Sequence, residues 1–207
     1  ALIGFFCLRD LRATGGDGAR RHARRLVGDW LVQHDRWHPQ LWRPDVLARR
    51  IANWIAAHDF FCASADDRFR GAVFASLARQ VRHLARTAPG AVEGPEAIAI
   101  VKGLAYGAAA LPEGDRLVGL AARLLRKALD RQVPPDGVHP SRNPVRQLDG
   151  LRDLVDLRMA LQAAKTAGLA DAADNADLAD ALLAAIERLA HGLRALRHGD
   201  GRLALFH

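Results

Sequence analysis

Residues 95–111, PEAIAIVKGLAYGAAAL, decide the fold. Wound as a helix, this stretch has no polar face: Ala97, Ile98, Ala99, Ile100, Val101, Leu104, Ala108 and Ala109 surround it with apolar side chains, so it belongs inside an assembly of helices. Gly103 and Gly107 lie four residues apart on one face and admit a closely packed neighbour. The segments around it carry the complementary signal, apolar on one side only. Leu178, Leu182, Ile186, Leu189, Leu193 and Leu196 keep to one helical face, as do Leu47, Ile51, Trp54, His58 and Phe61, and again Val73, Leu77, Val81 and Leu84. Residues 114–133 place Arg116, Arg123, Arg126, Lys127 and Arg131 along an outer, solvated face.

The periodicity predicts helices over 2–13, 17–34, 44–63, 66–87, 95–111, 114–133, 144–168 and 175–197, with strand signals nearly absent before residue 202. Ser64 with Asp67 three residues on has the spacing of a capping box, and Asn143 before Pro144 is a helix start. Short connections make neighbouring helices antiparallel. The expected fold is all-α: antiparallel helical hairpins forming a partial (α/α) toroid in which inner helices alternate with outer ones.

The chain has 207 residues, 50% hydrophobic and 26% charged, which places it among folded helical domains and excludes a disordered tail. Its formal net charge of +7 favours acidic partners, whether uronate polysaccharide, nucleic acid or anionic surface. The two cysteines, Cys7 and Cys62, fall in apolar helical patterns and read as small hydrophobes, not as a disulfide framework. The longest uncharged run, 103–112, falls short of the roughly 20 apolar residues that span a bilayer. Both ends read as cuts, Ala1 opening inside a helical pattern and the chain stopping as the strand-like 203–206 begins. The expected division is a toroid domain over 1–198, then a linker or first strand of a following domain over 199–207.

Between two apolar helices lies a polar stretch, residues 135–147, PDGVHPSRNPVRQ, which gathers Asp136, His139, Ser141, Arg142, Asn143 and Arg146. Loops held by rigid scaffolds carry function disproportionately. Its Asp-Gly-x-His, then Arg, then a polar residue and Pro, resembles the Asp-Gly-x-His-x-Glu-Arg-Ser-Pro loop of the heparinase II/III superfamily of polysaccharide lyases. Trp42-Arg43-Pro44 followed by Arg49-Arg50-Ile51-Ala52-Asn53-Trp54 resembles that family's helix with an Arg-Ile-x-x-Trp core. Val101-Lys102-Gly103-Leu104 is similar to its Ala-Lys-Ala-Leu helix, and Gly199-Asp200-Gly201 with Leu203-Ala204-Leu205-Phe206 to the entry of its β-rich C-terminal region. Where the family carries an Asn-His pair this chain has Pro95 and Glu96, and Arg146 stands where a Tyr follows the loop's proline; Ser141 replaces the loop glutamate.

The resemblance implies a carbon-oxygen lyase acting on acidic, uronate-containing polysaccharide such as a glycosaminoglycan by β-elimination, needing no cofactor or metal and working in the periplasm or cell envelope, with a cytoplasmic location left open. It also implies a C-terminal β-sandwich beyond this chain. Elimination removes a proton beside a carboxylate, so a site needs one group to neutralise that carboxylate and another to act as base. His139 suits either task because it titrates near neutrality. Lys102 and Tyr106 share a helical face, and an ammonium beside the phenol would make Tyr106 a better base. His139, Tyr106 and Lys102 are thus the expected catalytic residues. Arg142 and Arg146, with their planar forks, and Arg50 with Trp54, an arginine and a ring at i and i+4, are the expected substrate contacts.

Two other readings stand beside it, the first a variant of the resemblance in which the family's Asn-His pair and Tyr are missing. One is a catalytically degenerate glycan-binding domain. The other is a basic all-α interaction scaffold, with Arg79, Arg82, Arg86 and the arginines of 114–133 as a nucleic-acid surface. Nucleic acid is the weaker partner, because those arginines are scattered over several helices and lack interleaved exposed aromatics. The pair His34 and His38 sits at a helix end and is a poor metal site, and no phosphate-binding glycine loop occurs.

Overall fold

The computed structural model of the chain describes residues 3–112, 114–166 and 172–203. Among these residues nine helices and no strand occur: α1 (Cys7–Thr14), α2 (Gly16–His34), α3 (Pro44–Ala56), α4 (His58–Cys62), α5 (Asp67–Ala91), α6 (Ala97–Ala110), α7 (Gly114–Gln132), α8 (Pro144–Thr166) and α9 (Ala172–Ala195). They pack as antiparallel hairpins curling into a partial toroid, the expected fold class. No helix among the described residues is long and apolar enough to cross a membrane. At the chain's end Arg197 and Leu203 make one isolated antiparallel bridge, while residues 1–2 and 204–207, including the rest of the expected strand, lie outside the described residues.

The helix without a polar face is the inner one. Along α6 every residue up to Ala108 is buried except Lys102 and Tyr106, and the helix packs against α3, α5, α7 and α8. Its two glycines allow this. A Cβ on Gly103 would lie 2.5 Å from Ala48 Cα of α3, and one on Gly107 would lie 2.8 Å from the Val81 side chain of α5. The helix of arginines, α7, is an outer one, burying Ala121, Leu124, Leu125, Ala128 and Leu129 while its charges face outward.

The same core continues around α3. Phe5, Trp30 and Trp54 meet edge to face with ring centroids 5.2–6.4 Å apart. Phe5 reaches that cluster from a left-handed backbone, φ 56°, a strain of about 1–2 kcal/mol that burial of a whole aromatic ring offsets. This turn is why α1 begins at Cys7 and not near residue 2.

Three other boundaries differ from expectation for physical reasons. The helix expected over 44–63 breaks at Ala57 (φ −103°, ψ 4°), where neither glycine nor proline marks it. Arginines from other helices meet carbonyls at the break and at the end of α4: Arg12 donates to Ala56 O, and Arg24 donates to Phe61 O at 3.0 Å and to Ser64 O at 3.2 Å and Oγ at 2.9 Å. Ser64 is thereby taken up, and the cap of α5 is Asp66, whose Oδ1 accepts from Phe69 N at 2.7 Å. That helix also runs on through Pro89 to Ala91, past the expected stop at 87. The start of α8 is as read: Asn143 Oδ1 accepts from Val145 N and Arg146 N, and Pro144 occupies the first turn.

The Gly103–Ala48 contact gives a paired test of this packing. Gly103→Ala should cost about 1–3 kcal/mol, because backbone must move to admit the methyl group. On α7, Gly119 has open space around it, so Gly119→Ala should stabilise by about 0.5–1 kcal/mol through helix propensity alone. Thermal unfolding of the two variants should shift the midpoint in opposite directions; a neutral Gly103→Ala would contradict the close approach of α3 and α6.

Candidate functional site

A cleft of about 620 Å³ opens where α1, α3, α6 and α8 meet. Arg9 and Arg12 line it from α1, Arg49 and Asn53 from α3, Lys102 and Tyr106 from α6, and Asp149, Arg152, Asp153 and Asp156 from α8, with Phe6 at its edge. The two half-open residues of the inner helix thus both face the cleft. Spacing explains the acidic wall: Asp149, Asp153 and Asp156 stand four and three apart and therefore share one face of α8.

Lys102 is held by that wall. Its Nζ donates to Asp153 Oδ1 at 2.9 Å and also to Asp156. Burial pulls the ammonium down, but the two aspartates outweigh it and hold Lys102 above its ordinary value. Asp153 is the more buried acid, and burial keeps its carboxyl above the usual carboxylate range despite Lys102. The ammonium lies 5.9 Å from the Tyr106 ring centroid. Contrary to expectation, it does not make Tyr106 a better base. Burial raises the phenol first, Asp156 and Asp153 raise it further, and Lys102 offsets only part of this.

The polar loop lies beside the cleft and faces a slit of about 20 Å³, lined by His139, Arg146, Glu96 and Gln132. That is room for about one water molecule. Arg49, Asp149 and Asp153 line both spaces, so slit and cleft are neighbours. Within the slit Glu96 accepts from Arg49 of α3 and from Arg146 of α8. Glu96, one of the two residues at the place the resemblance gives an Asn-His pair, is thus an acid clamped between two arginines, Arg49 and Arg146.

His139 is 4% exposed, and burial lowers its pKa. Its Nδ1 lies 2.8 Å from Ser141 Oγ and accepts from Ser141 N at 3.2 Å, so the ring is engaged with its own loop. The loop is pinned by a residue that sequence reading did not single out. Gln147, fully buried, accepts from His139 N at 2.6 Å and donates to Gly137 O at 2.7 Å and Leu189 O at 2.8 Å. Gly137 is left-handed (φ 70°), and its O would lie 2.0 Å from a Cβ on Gly192, so loop and α9 touch backbone to backbone. Arg142 is exposed and pairs with Asp136 at 2.9 Å, away from the residues lining the cleft.

Arg50 and Trp54, expected to touch substrate, lie in the core with no exposed surface. Arg50 Nε donates to Gln80 Oε1 at 2.7 Å, both terminal nitrogens donate to Leu41 O at 3.1 Å, and the guanidinium stacks 4.4 Å from the Trp30 ring centroid. Burial pushes it down to about 9, still charged at neutral pH. The structure thus brings Lys102 and Tyr106 together in the cleft, puts His139 and Arg146 in the adjoining slit, and separates Arg142, Arg50 and Trp54 from both.

Because Tyr106 is the sole tyrosine, its ionisation can be followed directly in the ultraviolet. The phenol should titrate above 10.0, its ordinary value. A midpoint below that value would mean that Lys102 governs the phenol and that the site is primed for proton abstraction.

No protein-family profile matches the chain. FtsZ-localized protein C of Caulobacter vibrioides (strain NA1000 / CB15N) is 36% identical over an alignment covering 98% of this chain and 33% of that protein, so the chain spans about a third of its relative's length. Among solved structures, heparinase III superposes with a TM-score of 0.68 at 12% identity, over 93% of this chain and 29% of that one. The heparan sulfate lyase HepC from Pedobacter heparinus superposes with a TM-score of 0.62 at 14% identity, over 99% of this chain and 33% of that one. The resemblance to polysaccharide lyases is thus one of fold, carried by the helical toroid.

Proposed function

We propose that this chain is a non-cleaving interaction domain built on the lyase-type toroid, in a protein that localises with the FtsZ-based division apparatus. The observation that carries this reading is the state of the charged groups in the cleft and the adjoining slit. Lys102 is shared between Asp153 and Asp156, and Glu96 between Arg49 and Arg146. Elimination needs a cationic or donating group free to meet the substrate carboxylate, and a base able to take the proton. Here Lys102 and Arg49 are neutralised internally, an acid stands where the resemblance puts the neutraliser, and burial with two aspartates raises the phenol. The relative's name supports the second half: it places that protein with FtsZ, which on this reading moves the expected location from the cell envelope towards the cytoplasm.

A second reading keeps the glycan without the reaction. The cleft retains Arg9, Arg12 and Arg152 beside Tyr106 and Phe6, a mixture of forks and rings that suits a uronate sugar. One experiment separates the possibilities. This chain and the full-length protein are incubated with heparosan, heparan sulfate and alginate, following ultraviolet absorbance of the unsaturated uronate, while binding of the same glycans is measured by calorimetry. An interaction domain gives neither turnover nor heat, and a degenerate glycan binder gives heat alone. Turnover by either protein would overturn the proposal.

A further inference from the structure

A second recess, distinct from the cleft, lies between the 35–43 connection and α5. Its volume is about 600 Å³, and Arg36, Trp37, Trp42, Arg79, Arg82 and Arg86 line it together with Asp35 and His83. The recess gathers Arg36 with three arginines of α5, while those of α7 lie elsewhere. Arg79, Arg82 and Arg86 rise on one face of α5 at spacings of three and four, and the connection brings Arg36 across to them. Sequence reading found no exposed aromatic among them; folding supplies one, since Trp37 is 64% exposed.

The charges here differ from those at the cleft floor. Asp35 is fully engaged, accepting from Ser76 Oγ at 2.5 Å and from Arg79. Arg36, Arg82 and Arg86 make no hydrogen bond or salt bridge among the described residues. Three exposed guanidiniums are therefore available around a large exposed ring. Behind that ring the groove has a rigid floor. Trp42, 6% exposed, packs edge to face on His83 at 5.3 Å, and its buried Nε1 has no acceptor.

We propose that this groove docks an acidic peptide segment carrying an apolar anchor, the carboxylates on Arg36, Arg82 and Arg86 and the anchor against Trp37. The inference rests on reading the chain as an interaction domain and names that domain's docking surface. Planar guanidinium forks match carboxylates, and interface anchors concentrate on tryptophan and arginine. A single-stranded nucleic acid would want a basic track with several stacking rings, and a polysaccharide an extended trough. This site is instead one bounded patch around one ring, which suits a short segment with one apolar anchor flanked by acids.

The test uses a fluorescein-labelled peptide in which Asp and Glu flank a Leu-Phe pair, titrated with the 207-residue chain and read by anisotropy. The same peptide with Asn and Gln in place of the acids is the charge control. Binding should weaken with salt and should shield Trp37 from acrylamide, a clean signal because the other three tryptophans are buried. Arg82→Glu with Arg86→Glu should lower affinity about tenfold or more, and Trp37→Ala about threefold or more. The same charge change on α7, Arg116→Glu with Arg123→Glu, should leave affinity within about twofold. If circular dichroism shows that the charge-reversed variant has not folded, Arg82→Gln with Arg86→Gln decides in its place. No binding, equal loss from the α7 pair, or displacement by heparosan oligosaccharide or oligo-dT at lower concentration than by unlabelled peptide would overturn the proposal. None of these outcomes depends on lyase turnover, so failure here leaves the reading of the cleft standing.

Discussion

The buried guanidinium of Arg50 is the interaction on which the rest of the structure depends. It ties together pieces far apart in sequence: its own helix α3, the 35–43 connection through Leu41 O, α5 through Gln80, and α2 through the Trp30 ring. A charge taken out of water costs several kcal/mol unless its donors are met, so these partners hold one another in place. The chain of hydrogen bonds continues outward. Gln80 donates to Ser76, Ser76 to Asp35, and Arg79 meets Asp35 at the groove surface. Arg49, the preceding residue, points the other way, to Glu96 beside the cleft. Two consecutive arginines thus fix α3 between the two recesses, and neither has to touch a ligand to matter for both.

The same logic explains how the toroid can be fixed independently of what lines its cleft. The toroid is determined by close helix contacts, such as Gly103 on Ala48, and by apolar stripes that are indifferent to what lines the cleft. The lining of the cleft and the adjoining slit is determined by which charges face one another. Placing Glu96 between Arg49 and Arg146, and Lys102 against Asp153 and Asp156, satisfies those charges inside the protein. An anion entering the cleft would have to displace Asp153 and Asp156 before it could meet Lys102. The groove by α5 has the opposite arrangement, with guanidiniums left open to solvent.

Much of the fold was legible in the sequence because hydrophobic periodicity reports burial directly. The helix of 95–111 is inner, the arginine-rich helix of 114–133 is outer, and Asn143 caps α8, each for the reason its residues give. The break at Ala57 was not legible, since the arginines that meet carbonyls there and at the end of α4 come from α1 and α2. The site was legible only in part. That Lys102 and Tyr106 share a face followed from spacing, and that face opens on the cleft; the carboxylates that reverse the effect on Tyr106 lie about 50 residues away, and only packing brings them near. Asp149, Asp153 and Asp156 did carry a signal, an acidic stripe at helical spacing. Arg50 and Trp54 fit the Arg-Ile-x-x-Trp pattern of the resembled family, but Trp54 belongs to an apolar stripe, and Arg50, one turn before it, is buried beside it.

The charge lock of the cleft is read most directly at Lys102. Its ε-ammonium can be followed through a pH titration by nuclear magnetic resonance of the side-chain carbon and nitrogen. Paired with Asp153 and Asp156, the group should remain protonated beyond its ordinary value of 10.5. A titration near neutrality would show Lys102 free of its aspartates and poised as a base, and would contradict the account.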